Sequence, residues 1–75
     1  MRELVEYLAK SLVDNPDAVR VRESRSEYVI RVQLHVDDED KGKVIGREGK
    51  IARAMRALVS AAASREGKRG LLEID

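Results

Sequence analysis

The spacing of apolar residues changes several times along the chain, and each change marks an element. Leu4, Leu8 and Leu12 recur every fourth residue with Val5 and Ala9 beside them, which predicts an amphipathic helix from about Arg2 to Val13. Asp14-Asn15-Pro16 ends it, because a residue before proline is pushed out of the helical region. From Ala18 to Glu23 the pattern alternates, with Val19 and Val21 set against Arg20 and Arg22. It alternates again from Tyr28 to Val36, with Ile30, Val32, Leu34 and Val36 on one face and Arg31, Gln33 and His35 on the other. Two strands joined through Ser24-Arg25-Ser26 are expected. The acidic run Asp37-Asp38-Glu39-Asp40 suits a helix N-terminus, so a short helix should begin near Asp38 and stop at Gly46, with Val44 and Ile45 anchored in the core. Ile51, Met55, Leu58, Val59 and Ala62 then predict a long helix over Lys50 to Ser64. Arg65 to Gly70 reads as a loop and Leu71 to Ile74 as a last strand. The result is α+β, in the order α-β-β-α-α-β, with one sheet and three helices on one face of it.

Seventy-five residues hold a single domain, 1–75, and a chain of this length buries only about 60% of its unfolded surface. There is no cysteine, so packing, within the chain or against a partner chain, must hold it, and the chain fits a reducing compartment without requiring one. No apolar run is long enough for a membrane span and no signal pattern opens the chain, which points to a cytoplasmic protein. The net charge of +1 conceals an asymmetry. Residues 1–40 carry six basic and ten acidic side chains, whereas residues 41–56 carry Lys41, Lys43, Arg47, Lys50, Arg53 and Arg56 against Glu48 alone. Such a basic centre in an otherwise acidic domain suits phosphates.

The basic segment contains Val44-Ile45-Gly46-Arg47-Glu48-Gly49-Lys50-Ile51. Two glycines three apart let the backbone turn sharply with no Cβ in the way, so that a phosphate or sugar can lie against the main chain. The helix beginning near Lys50 directs its free N–H groups at the same place. Lys43, Arg47, Lys50 and Arg53 add positive charge, while Glu48 puts a carboxylate in the loop that opposes phosphate. A paired Gly46→Asp and Gly49→Asp change is expected to abolish nucleic-acid binding and leave the fold intact.

This segment resembles the signature of the KH domain, and the element order is similar to its bacterial, type II form, which implies a three-stranded mixed sheet. Leu12-Val13-Asp14-Asn15-Pro16-Asp17-Ala18, Asp40-Lys41-Gly42-Lys43-Val44-Ile45-Gly46 and Ile51-Ala52-Arg53-Ala54-Met55-Arg56 extend the resemblance over essentially the whole chain, to the KhpA family of small one-domain bacterial RNA-binding proteins. The resemblance implies that single-stranded RNA binds in an aliphatic groove beside the GxxG loop, with action as an RNA chaperone or post-transcriptional regulator. It also implies a homodimer or a heterodimer with a larger KH-containing partner in cell-envelope and cell-division control.

Other chemistries find little support. Val44 stands where a dinucleotide fingerprint needs glycine, and no P-loop Gly-Lys-Ser/Thr occurs. Asp37 to Asp40 lack the ligand spacing of a calcium loop and read as helix capping. The single histidine, His35, falls on a polar strand face, so no acid–base pair or nucleophile marks an enzyme, and no cofactor or metal is expected. Tyr7 and Tyr28 are the only aromatic residues, too few for base stacking across a sheet. Arg20, Arg22 and Arg31 on the outer sheet face could extend an RNA site, but mixed charges on a strand's solvent side read better as solvated surface. Ala54, Ala57, Leu58 and Ala61 form an extra apolar flank on the long helix, suited either to helix propensity or to a dimer contact. The rival reading is a protein-interaction module working through that helix, with a vestigial loop.

Overall fold

The computed structural model describes residues 1–75. Helix α1 spans Arg2–Leu12, strands β1 and β2 span Arg20–Arg25 and Val29–His35, helices α2 and α3 span Lys41–Ile45 and Lys50–Ser64, and strand β3 spans Arg69–Ile74. Short 3₁₀ turns at Pro16–Ala18, Asp38–Asp40 and Arg47–Gly49 link them. The sheet order is β1-β2-β3, with β1 antiparallel to β2 and β3 parallel to it. This is the mixed sheet expected of the type II arrangement.

Alternation in the strands decides which face meets the helices. Ile30, Val32, Leu34 and Val36 are fully buried, with Val21 beside Leu34 on β1 and Leu72 beside Val32 on β3. Val5, Ala9, Val44, Met55, Val59 and Ala63 close over them from the helices to form one cluster. The outward set Arg31, Gln33 and His35 is exposed. Both tyrosines are 70% exposed, so the core is wholly aliphatic apart from Met55.

Several boundaries and faces differ from expectation. In α1 the buried pair is Val5 and Ala9, and Leu4 and Leu12 lie at the exposed margin, so the helix is rotated toward its smaller residues. In α3 the buried stripe is Ala52, Met55, Val59 and Ala63, while Leu58 is 47% exposed. β1 runs on through Arg25, and the turn falls at residues 26–28, closed by a bond from Ser26 N–H to Val29 O (2.9 Å). β3 begins two residues early and takes in Gly70. A Cβ there would sit 2.6 Å from Val59 O and 2.9 Å from Ala63 Cβ, so Gly70 lets β3 lie directly against α3.

The acidic run caps as expected only in part. The Asp37 side chain accepts from Glu39 N–H at 3.2 Å. Asp40, by contrast, is buried and accepts from the N–H groups of Asp14 (3.2 Å) and Asn15 (3.0 Å), which follow the end of α1. It therefore ties the α1 terminus to the start of α2. Burial raises its pKa, but the two N–H bonds and the nearby Lys43 outweigh that and hold it below the usual carboxylate value.

Candidate nucleic-acid interface

α2 ends because Gly46 adopts φ 76° and ψ 173°, a conformation essentially restricted to glycine. A Cβ on Gly46 would lie 2.6 Å from Ile51 Cγ1, so this glycine also lets α3 pack closely against the loop. Glu48 (φ 57°) and Gly49 (φ 73°) are left-handed in succession, after which Lys50 starts α3 at φ −63°. Around Gly49 a Cβ would meet only the Arg53 guanidinium, at 3.8 Å. The two glycines thus differ: Gly46 is packed from within and Gly49 is open to approach.

No side chain caps α3, and no acidic residue stands in its first turn. The Lys50 N–H is taken by the Arg47 carbonyl, but no side chain caps the first turn of α3 or opposes its positive dipole end. Arg47, Lys50 and Arg53 have no carboxylate within ion-pair distance, and Glu48 has no cation within it, so its negative charge is uncompensated.

Lys43 does not share this freedom. Its ammonium donates to Asp14 Oδ2 and lies 3.6 Å from Asp40 Oδ1, and its bond to Asp14 raises its pKa. The expected mobile charge at Lys43 is instead a brace between α2 and the segment after α1. Lys41 pairs with Asp38 at 3.1 Å, and Arg56 reaches the carbonyl of Leu72 at 3.5 Å. Of the six cations in the basic segment, Lys41 and Lys43 have acidic partners and Arg56 is directed at a backbone carbonyl, which leaves Arg47, Lys50 and Arg53 free around the loop.

Two features escaped the pattern of the chain. Ile45 is 40% exposed and not anchored in the core, placing an aliphatic surface just before the loop. The second feature is the open edge of β3. Arg69 N–H bonds to Tyr28 O (2.8 Å) and Asp75 N–H to Leu34 O (2.7 Å). With the two-residue period of a strand, this turns the N–H and C=O groups of Gly70, Leu72 and Ile74 away from β2. Gly70 packs near the end of α3, so the strand runs back toward the loop, and half-buried Ile74 lies at that end. The start of α3 and this end of the β3 edge thus lie at the same end of the domain, which carries half-buried Ile74, outward-turned backbone groups and the cations of the loop. His35 is exposed with Nδ1 3.5 Å from Asp75, and no group of side chains is arranged to hold a metal ion. No helix is long and apolar enough to cross a membrane.

Comparison with known proteins agrees with this architecture. A family model described as KhpA/KhpB, KH domain, matches residues 2–74. The chain is 55% identical to the "RNA-binding protein KhpA" of Caldanaerobacter subterraneus subsp. tengcongensis and 53% identical to that of Clostridium perfringens, over 99% of both chains in each case. It is 47% identical to that of Aquifex aeolicus, over 99% of this chain and 94% of the relative. No solved structure matches at a significant level. With its GxxG loop between two helices and a mixed sheet in the type II order, the chain belongs to the KhpA/KhpB family of KH domains.

Proposed function

We propose that the protein binds single-stranded RNA, with the backbone clamped at Gly46–Gly49 and the bases laid toward the β3 edge. The observation that carries this reading is the uncapped start of α3 behind an open Gly49, ringed by Arg47, Lys50 and Arg53 with no carboxylate paired to them. An aliphatic surface with backbone donors and acceptors suits unstacked bases, which single strands supply and duplexes do not. The relatives' name, RNA-binding protein, supports the choice of ligand. The Arg47→Glu/Lys50→Glu variant tests it in a fluorescence polarisation assay on a short single-stranded RNA. Binding should be lost while thermal unfolding is unchanged, and wild-type affinity in that variant would refute the site.

In this reading the protein works as an RNA chaperone or post-transcriptional regulator in the cytoplasm, alongside a larger KH-containing partner. The surface of α3 also suits self-association. Ala54, Ala57, Leu58 and Ala61 fall at helical spacing and are all exposed, an apolar stripe on α3 that a second helix can cover. Leu58→Asp should then convert a dimer to a monomer by light scattering, and a wild type already monomeric at micromolar concentration would rule the contact out. If protein interaction were the main activity, association would persist as salt rises, whereas RNA binding weakens steeply.

A further inference from the structure

We propose that the outer face of the sheet, opposite the helices, is a second phosphate-binding surface for RNA, centred on Arg20 and Arg22. The register sets these arginines at consecutive outward positions of β1, opposite His35 and Gln33 on β2. Two like charges about 7 Å apart on one strand repel, and an ordinary solvated face places acids across from them. Here none stands across. Arg20 Nη1 is held by the carbonyls of Asp17 (2.7 Å) and Val19 (2.9 Å), which fix the guanidinium without neutralising it. Arg22 makes no ion pair. Of the two carboxylates on this face, Glu73 is paired with Arg31 at 3.2 Å, and Asp75 lies 3.5 Å from His35 Nδ1. Arg20, Arg22 and Arg69 are thus the outward cations with no ion pair, against Asp75 as the one outward carboxylate that no arginine or lysine pairs.

The same residues line a broad open depression together with Gln33, His35, Glu73 and Asp75. Its wall also includes Ile74, the residue at the loop end of the β3 edge. Ile74 thus borders both the depression and the β3 edge, and it marks the route by which an RNA longer than the loop can clamp would reach the outer face. The donors suit phosphate: guanidinium forks pair with its oxygens two at a time, and the Gln33 amide adds a neutral donor. Lysine would give charge without the fork, and every cation at an outward position of the three strands is arginine. The proposal extends the RNA-binding reading to a separate face and predicts a dependence on RNA length that the loop alone does not give.

The test compares a single-stranded RNA of about four nucleotides, the length a GxxG loop clamps, with one of about twenty, by fluorescence polarisation over a range of salt. Arg20→Glu/Arg22→Glu should bind the short RNA as the wild type does. It should bind the long RNA about twentyfold more weakly near 0.1 M salt, with a salt slope smaller by about 1.4, the value for two phosphates on a single strand. Arg20→Gln/Arg22→Gln should show the same pattern more weakly and guards against misfolding, which thermal unfolding checks directly. Arg2→Glu/Lys10→Glu makes the same change of net charge on α1 and should leave the long RNA bound. The loop variant Arg47→Glu/Lys50→Glu on the short RNA reports separately on the loop. Unchanged affinity of both arginine variants for the long RNA overturns the proposal. So does equal weakening on both lengths, or equal weakening by the α1 control.

Discussion

The two glycines of the loop should respond differently to the same substitution. Gly46→Ala places a Cβ at 2.6 Å from Ile51 Cγ1, 2.9 Å from its Cδ1 and 3.0 Å from its Cβ. Overpacking of this kind costs about 1–3 kcal/mol. The backbone at φ 76° and ψ 173° adds about 1–3 kcal/mol for any residue other than glycine. Together, about 2–6 kcal/mol is drawn from a domain whose total stability, at about 0.05–0.15 kcal/mol per residue, is roughly 4–11 kcal/mol. Gly49→Ala meets only the tip of Arg53 at 3.8 Å, and its left-handed backbone costs about 1–2 kcal/mol, partly offset by the smaller entropy of the unfolded chain. Its net cost should be about 1 kcal/mol. Urea denaturation of both variants measures the difference directly. If the Ile51 contact is the cause, Gly46→Ala should cost at least about 1 kcal/mol less on an Ile51→Ala background than on the wild type, a coupling expected only of residues in contact. Equal costs at the two glycines, or no coupling to Ile51, would refute the reasoning. A paired Gly46→Asp and Gly49→Asp change is consequently a test of folding as much as of binding, and charge reversal at Arg47 and Lys50 is the cleaner probe.

Gly70→Ala should destabilise the domain by about 1–3 kcal/mol in urea denaturation, because its Cβ would meet the Val59 carbonyl and Ala63. Gly67→Ala, with φ 71° but nothing within 4 Å, should cost less. Glu48→Gln should tighten RNA binding several-fold in low salt by removing the unpaired carboxylate from the loop, and the gain should shrink as salt screens it. Asp40, Glu23 and Glu66 all have pKa values lowered in the folded state. The stability they contribute is therefore present above about pH 4 and is lost as pH falls through their folded values. Thermal melts should show this loss, and Asp40→Asn should flatten the acid limb.

The sheet was the most legible part of the sequence because a strand has only two faces, and the run from Ile30 to Val36 allows only one assignment of them. Helices are less constrained. An apolar arc of about 100° or more leaves open which of its edges the neighbouring element covers. In α1 the sheet takes Val5 and Ala9 in preference to the larger Leu4 and Leu12, and in α3 it takes Ala52 and Ala63, which let the backbones approach, leaving Leu58 at the margin. Gly70 was ambiguous for another reason: a glycine that opens a loop and one that admits a crossing helix look identical until the helix is in place.

The charge of the basic segment overstates what the loop can offer a phosphate, and part of the correction was available in the sequence. Asp38 and Lys41, and Asp40 and Lys43, stand three residues apart where the acidic run enters α2, a spacing that brings side chains together on one helical face. An acidic run before a helix therefore discharges the lysines of its first turn. What the spacing could not supply is Asp14, 29 positions upstream, which completes the neutralisation of Lys43 only because Asp40 fastens the end of α1 beside α2. The site's free charge begins after Gly46, where α2 ends and no acid within reach is paired to Arg47, Lys50 or Arg53.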